Sequence, residues 1–220
     1  MAVKYADGVV LGADSRTSTG TYVANRASDK ITRICDNVWM CRSGSAADTQ
    51  NVAAYVSRLA EEHAVSVSSA AAGAEERLTC DVKLVANLTK TIAYENKERL
   101  QAGMIIAGWD RKLGPQVYGI PLGGALVEAP FTVGGSGSAY VYGWGDDTFK
   151  EDMSRDEAET WVTRAISLAI ARDASSGGVI RLVTIDGNGC ERRMIQPIEQ
   201  PPCDDELPQI KRAADVEMTT

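Results

Sequence analysis

Asp14, Lys30 and Arg42 are the residues whose types and positions could do chemistry. Asp14 ends the apolar run Val9-Val10-Leu11-Gly12-Ala13, and Lys30 stands immediately before a second run that starts at Ile31. A charge at a strand end that is turned away from water needs a partner, because an unpaired buried charge is costly. Asp14 and Lys30 could therefore meet. Such a pair can be a structural tie, or it can tune the proton affinity of a third group, and spacing alone leaves both readings open. Arg42 lies in the small-residue stretch Cys41-Arg42-Ser43-Gly44-Ser45-Ala46. Taken alone it reads as a solvated strand-end arginine. The chain itself starts in a strand-like run, Ala2-Val3-Lys4-Tyr5, with a turn at Ala6-Asp7-Gly8. An acid, a lysine and a small-residue loop on strands that can lie side by side suit an enzyme that uses its own N-terminus as catalyst.

Two further stretches carry polar groups. Gly134-Gly135-Ser136-Gly137-Ser138 is a glycine-rich loop before a short helix expected at 139–142. Its backbone N–H groups could cradle a phosphate, but its spacing matches neither GxGxxG nor GxxxxGK[ST]. Arg172-Asp173-Ala174-Ser175-Ser176-Gly177-Gly178 reads first as a helix stop.

Composition narrows the classes. With 220 residues the chain is long enough for one large domain with a full core. A net charge of −7 argues against nucleic acid or an anionic membrane as partner, since both select a basic face. No apolar run reaches bilayer length, and no secretory signal pattern opens the chain. His63 is the single histidine, which rules out a two-histidine metal site within this chain. Following Glu61-Glu62, it reads as a solvated helix-end residue. The five cysteines, Cys35, Cys41, Cys80, Cys190 and Cys203, have no metal-ligand spacing. They read as reduced thiols, each a small buried hydrophobe. No metal and no organic cofactor is expected.

The elements that must position these residues follow from periodicity. The first 45 residues read as strands and tight turns. Positions 46–62 switch to helical spacing, with Val52, Val56 and Leu59 on one face. A loop is expected at 66–73 and a second helix at 74–100. Strands follow at 104–107, 116–120 and 125–127. Ser154 and Glu157 form a capping-box pattern at the start of a third helix that carries Ala158, Trp161, Val162, Ala165 and Ile166. A strand at 179–185 and a hairpin return at 190–195 close the domain. Segregated strands and helices predict an α+β layered fold. Residues 1–196 are expected to form one domain. The Pro-rich, acidic stretch 197–220 is expected to be an extended tail or an arm laid on a neighbour.

Six ordered stretches together resemble one family: Gly12-Ala13-Asp14-Ser15-Arg16, Ser28-Asp29-Lys30, residues 42–48, residues 106–110, the glycine-rich loop 134–138 and residues 172–178. The resemblance is to the β subunits of the 20S proteasome, which are N-terminal-nucleophile hydrolases, and it covers Met1 to about Ile195. It implies a four-layer αββα sandwich, with two packed antiparallel sheets between helix layers. It also implies a threonine-type endopeptidase, in which an N-terminal threonine attacks the peptide carbonyl and its own α-amine takes the proton. The lysine at position 30 would stand beside that amine and disfavour its protonation, with Asp14 holding the lysine. The Gly44 N–H would donate to the oxyanion, and Ser136, Asp173 and Ser176 would complete the network around the amine.

By the same resemblance Arg42 sits at the base of the pocket for the residue before the cut. There it favours an acidic side chain, as in the post-acidic, caspase-like beta-1-type members. Thr17, Thr19, Ser28, Thr32 and Ala46 would line the same groove. The implied partners are other β subunits in a seven-membered ring, an adjacent α ring and unfolded polypeptide substrates, in cytoplasm and nucleus. The family's threonine is expected just upstream of Met1, as part of a Thr-Thr-Ile-like tripeptide. The competing expectation is an inert subunit that serves only ring assembly.

Overall fold

The computed structural model describes residues 1–68 and 78–202. Its strands are β1 (Ala2–Tyr5), β2 (Gly8–Ala13), β3 (Thr17–Thr19), β4 (Tyr22–Asn25), β5 (Ile31–Cys35) and β6 (Val38–Gly44). After helices α1 (Ala46–Ser68) and α2 (Val82–Glu95) come β7 (Ala102–Asp110), β8 (Gly114–Ile120), β9 (Val127–Glu128) and β10 (Phe131–Thr132). Helices α3 (Ser138–Thr148) and α4 (Arg155–Arg172) precede β11 (Ile180–Asp186), β12 (Gly189–Ile195) and a single 3-10 turn at Pro197–Glu199. One five-stranded sheet has the order β10-β1-β2-β11-β12 and the other β5-β6-β7-β8-β9, every neighbouring pair being antiparallel. β3 and β4 form a separate hairpin.

Side-chain alternation builds the layers. In β1 and β2, Val3 and Val10 pack toward α4, while Ala2, Val9 and Leu11 point to the other sheet. In β6, Val38 and Met40 face α1 and α2, while Trp39 and Cys41 face inward. The central strands of both sheets are therefore covered on both faces. This explains why the strands read as continuous apolar runs rather than alternating ones. Three apolar clusters result: helix-to-sheet on each outside and sheet-to-sheet in the middle. This is the four-layer αββα sandwich.

The capping box forms as the sequence predicts. The Glu157 N–H donates to Ser154 Oγ and the Ser154 N–H to the Glu157 carboxylate. Other boundaries differ. α1 runs on to Ser68, so exposed His63 lies inside the helix and Ser66–Ser68 are helical rather than loop. The rest of the expected loop, and the first residues of the expected second helix, lie outside the described residues. α2 starts only at Val82, where Asp110 Oδ2 from β7 accepts the Val82 N–H at 3.0 Å. It ends at Glu95, and the chain turns through Asn96, whose carbonyl accepts from Arg99 and Leu100. The strand expected at 125–127 is β9, which starts two residues later and ends at Glu128. Cys190 is exposed rather than buried, because β12 is a sheet edge. Cys203 lies outside the described residues. Pro197–Glu199 are not extended, and Gln200 Nε2 donates to the Gly178 carbonyl at 2.8 Å.

Gly12 shows how tightly α4 sits on β2. A Cβ there would lie 2.3 Å from Val162 Cγ1 and 2.7 Å from Ile166 Cδ1. Gly12→Val is expected to overpack this contact and lower stability by about 1–3 kcal/mol in urea unfolding of the purified chain. Wild-type stability in that variant would mean that α4 can retreat without cost.

Candidate active site

Asp14 follows the last residue of β2 in one sheet, and Lys30 precedes the first residue of β5 in the other. Lys30 Nζ donates to Asp14 Oδ1 at 2.6 Å, with both side chains partly shielded from water. The second oxygen is also committed: Asp14 Oδ2 accepts the Arg16 N–H at 3.2 Å and the Gly177 N–H at 3.0 Å. The carboxylate is thus held from three sides, and it fixes the ammonium at the mouth of the interlayer space. Spacing left open whether these two groups meet, and they do.

A cleft of ≈ 390 Å³ opens at this point, and Met1, Asp14, Lys30, Arg42, Gly44 and Ser136 are part of its wall. Thr17, Ser28, Ala46 and Ser176 line it as well, and Thr17 Oγ1 and Ser28 Oγ share a hydrogen bond of 2.7 Å. Three residues singled out from the sequence stand off the wall. Thr32 and Asp173 lie behind it as supports. Thr19 sits exposed in the β3–β4 hairpin and does not line the cleft.

Another part of the wall is a polar cluster, next in sequence to the Gly177 N–H that holds Asp14. Ser136 Oγ and Ser176 Oγ each donate to Asp173 Oδ2 at 2.7 Å, and the Ser175 N–H donates to Oδ1 at 3.0 Å. Burial pushes the Asp173 carboxyl up. The two serine hydroxyls, the Ser175 N–H and the Lys30 charge outweigh burial and hold it below the ordinary carboxylate value. Residues 172–178 are therefore a helix stop that also builds the site.

Gly44 has φ +104°, in the region open mainly to glycine, and a Cβ would lie 2.3 Å from the Gln101 carbonyl oxygen. The Ser45 N–H donates to that carbonyl at 2.8 Å, which makes the neighbouring pair Gly44–Ala102 a non-hydrogen-bonded one. The Gly44 N–H is thereby directed away from β7. It points to the side of β6 on which the Arg42 N–H meets the Lys30 carbonyl at 2.9 Å, beyond the start of β5. The glycine is required by its own backbone, a reason distinct from keeping an approach path open.

Arg42 is half-buried and held by neutral acceptors. Nε donates to Thr32 Oγ1 at 2.8 Å, Nη1 to Thr49 Oγ1 at 3.3 Å and Nη2 to the Asp29 carbonyl at 2.6 Å. The Asp29 carboxylate is itself paired with Arg192. Burial lowers the proton affinity of Arg42, with the Asp29 charge working the other way, and the guanidinium remains a cation. Among the described residues no carboxylate forms an ion pair with Arg42. Sequence reasoning missed Thr49 and the Asp29 carbonyl. Thr49 is a buried polar residue in the first turn of α1, and nothing in its local pattern marks it.

Among the described residues no helix is long and apolar enough to cross a membrane, and no group of His, Cys, Asp and Glu is arranged to hold a metal.

The Asp173 cluster carries a prediction. Because its folded pKa is depressed, the stabilisation it gives is present above the unfolded value, about 3.9. It is lost as pH falls through the lower folded value. Ser136→Ala should move the Asp173 titration upward in a carboxyl NMR titration, and Ser136→Ala with Ser176→Ala further still. An unmoved titration would show that the hydroxyls do not stabilise the anion.

Comparison with known proteins gives the family. The proteasome family, described as "Proteasome subunit", matches residues 1–185. The chain is 54% identical over 192 residues to "Proteasome subunit beta type-6" of Arabidopsis thaliana, covering 87% of this chain and 78% of that protein. It is 50% identical over 195 residues to the protein of the same name from Dictyostelium discoideum, covering 89% and 87%. It is 48% identical over 198 residues to "Probable proteasome subunit beta type-1" of Schizosaccharomyces pombe, covering 87% and 81%. The four-layer fold, the match along most of the chain and these identities agree: the chain belongs to the proteasome β-subunit family.

Proposed function

We propose that this chain is a catalytic beta-1-type subunit, a threonine endopeptidase that cleaves polypeptides after acidic residues. The observation that carries the reading is the Lys30–Asp14 pair at the end of the β1–β2 ladder. Met1 and Gly12 exchange both backbone hydrogen bonds, at 2.8 and 2.9 Å. Residues preceding Met1 in the same register would run opposite Ala13 and Asp14, which leads an N-terminus toward the Lys30 ammonium. We assign the nucleophile to a threonine in that position in the mature protein.

The chemistry follows from the groups around it. The threonine hydroxyl adds to the peptide carbonyl, and the α-amine takes its proton; the neighbouring ammonium of Lys30 keeps that amine available as a base. The Gly44 N–H donates to the oxyanion. Collapse releases the amine product, which takes the proton, and leaves an ester. Water, deprotonated by the same amine, then hydrolyses it. Asp173 with Ser136 and Ser176 orients the amine from beside the Lys30–Asp14 pair. Arg42, a cation with no carboxylate partner among the described residues, supplies the charge that an acidic substrate residue would pair with. Thr17, Ser28 and Ala46 line the groove, Thr32 positions the Arg42 fork, and Thr19 takes part only through the β3–β4 hairpin. The catalytic domain is residues 1–196; of the expected tail 197–220, the part after residue 202 lies outside the described residues. It would work beside other β subunits in a seven-membered ring against an α ring, in cytoplasm and nucleus.

In assembled particles, Arg42→Leu should lower kcat/KM for peptides with glutamate before the cut by about 10–100-fold relative to apolar ones. Acidic preference that survives the change would overturn the pocket assignment. Lys30→Ala should lower turnover by roughly 10²–10⁴-fold while the particle still assembles. N-terminal sequencing of the mature subunit should read threonine; Met1 as the mature N-terminus would instead make it a structural ring component.

A further inference from the structure

We propose that Cys35 and Cys80 form an oxidation site, a dithiol that hydrogen peroxide converts to an intramolecular disulfide fastening β5 to the segment that leads into α2. Their sulfurs lie 2.7 Å apart and both residues are buried. That is well inside the roughly 3.5–4.0 Å at which heavy atoms reach their dispersion optimum. The two backbones are already locked side by side. Asn37 Nδ2 donates to the Cys80 carbonyl at 2.8 Å, the Cys80 N–H returns to Asn37 Oδ1 at 3.0 Å, and the Asp36 N–H donates to the Leu78 carbonyl at 3.0 Å. The irregularity in β5–β6 pairing between Arg33 and Cys35 sits where Cys35 approaches this segment.

The two thiols are unequal, which assigns their roles. A hydrogen bond from Cys35 lowers the proton affinity of Cys80 against the effect of burial, and the same contact together with burial raises that of Cys35. Cys80 is also the less buried, 6% exposed against 1%. In the dithiol its S–H can point to the Ala60 carbonyl of α1, 3.4 Å away. Cys80 is therefore the attacking sulfur. Its thiolate displaces hydroxide from one peroxide oxygen, breaking the O–O bond and leaving a sulfenic acid; the hydroxide takes up the proton Cys80 gave and departs as water. The Cys35 sulfur then attacks the Cys80 sulfur, loses its proton and expels a second water. Two thiols and one peroxide thus give one disulfide and two waters. Cys41 and Cys190 have no second cysteine beside them among the described residues. The new bond would close a loop of 45 sequence positions that contains all of α1, which restricts the unfolded chain.

The test is peptide mapping of the purified full chain after graded peroxide, with free thiols alkylated and digestion under non-reducing conditions. The expected result is one linked peptide pair, Cys35 with Cys80, which dithiothreitol separates. Oxidation should raise the Tm of the wild type and leave that of Cys80→Ser unmoved. Dimedone should label Cys80 in Cys35→Ser. Recovery of Cys35 and Cys80 as alkylated thiols while Cys190 oxidises would overturn the proposal. So would linkage of either one to Cys203. The mapping uses wild-type protein, so its result does not depend on how well a variant folds.

Discussion

The ion pair between Asp14 and Lys30 is the contact on which the site depends, because its two members belong to different sheets. Asp14 follows a strand of the sheet that packs on α4, and Lys30 leads into the edge strand of the sheet that packs on α1 and α2. Apolar packing between sheets is non-directional and would tolerate small slides. A 2.6 Å hydrogen-bonded pair does not. The carboxylate has a third element on it as well, through the Gly177 N–H from the α4–β11 turn. The cost of partly dehydrating the two charges is offset by this convergence of donors rather than by the pair alone.

Arg42 shows the opposite solution. Its fork is filled by two threonine hydroxyls and a backbone carbonyl, so its direction is fixed while its charge is left uncancelled. The nearest acid, Asp29, offers Arg42 its carbonyl and gives its carboxylate to Arg192. A cation oriented by neutral groups in a cleft is prepared to pair with an anion. A cation already in a salt bridge would first have to lose that partner. The net charge of −7 belongs to the whole chain and does not say how charges are arranged around Arg42.

What was legible in the sequence was set locally. The α4 capping box, the apolar runs of β2, β6 and β11 and the turn residues between them act within a few positions, so periodicity and turn chemistry found them. The resemblance then supplied roles for Lys30, Gly44 and Asp173 that spacing could not. One misplaced boundary is fixed from far away. The start of α2 is capped by Asp110, 28 positions later in the sequence, and no window around Val82 contains that signal. Thr49 was invisible for the same reason: its neighbours mark a helix start, while its role comes from an arginine on β6. The positive φ of Gly44 was equally hidden, since it answers to the Gln101 carbonyl of another segment.

The Asp173 cluster is placed where local electrostatics oppose it. Asp173 caps the C-terminal end of α4, and a helix C-terminus repels a carboxylate. A residue chosen only to end the helix would not be an acid, and the serines and glycines that follow it already suffice. The acid is retained with two hydroxyls on one oxygen and a backbone N–H on the other, in range of the Lys30 charge. Ser136 comes from the loop that leads into α3, so the anion also ties α3 to α4 at the rim of the cleft. An unfavourable charge is thus kept by donors recruited from separate segments, within range of an ammonium that is itself fixed by the Asp14 carboxylate. Packing alone gives no reason for a carboxylate at this end of α4.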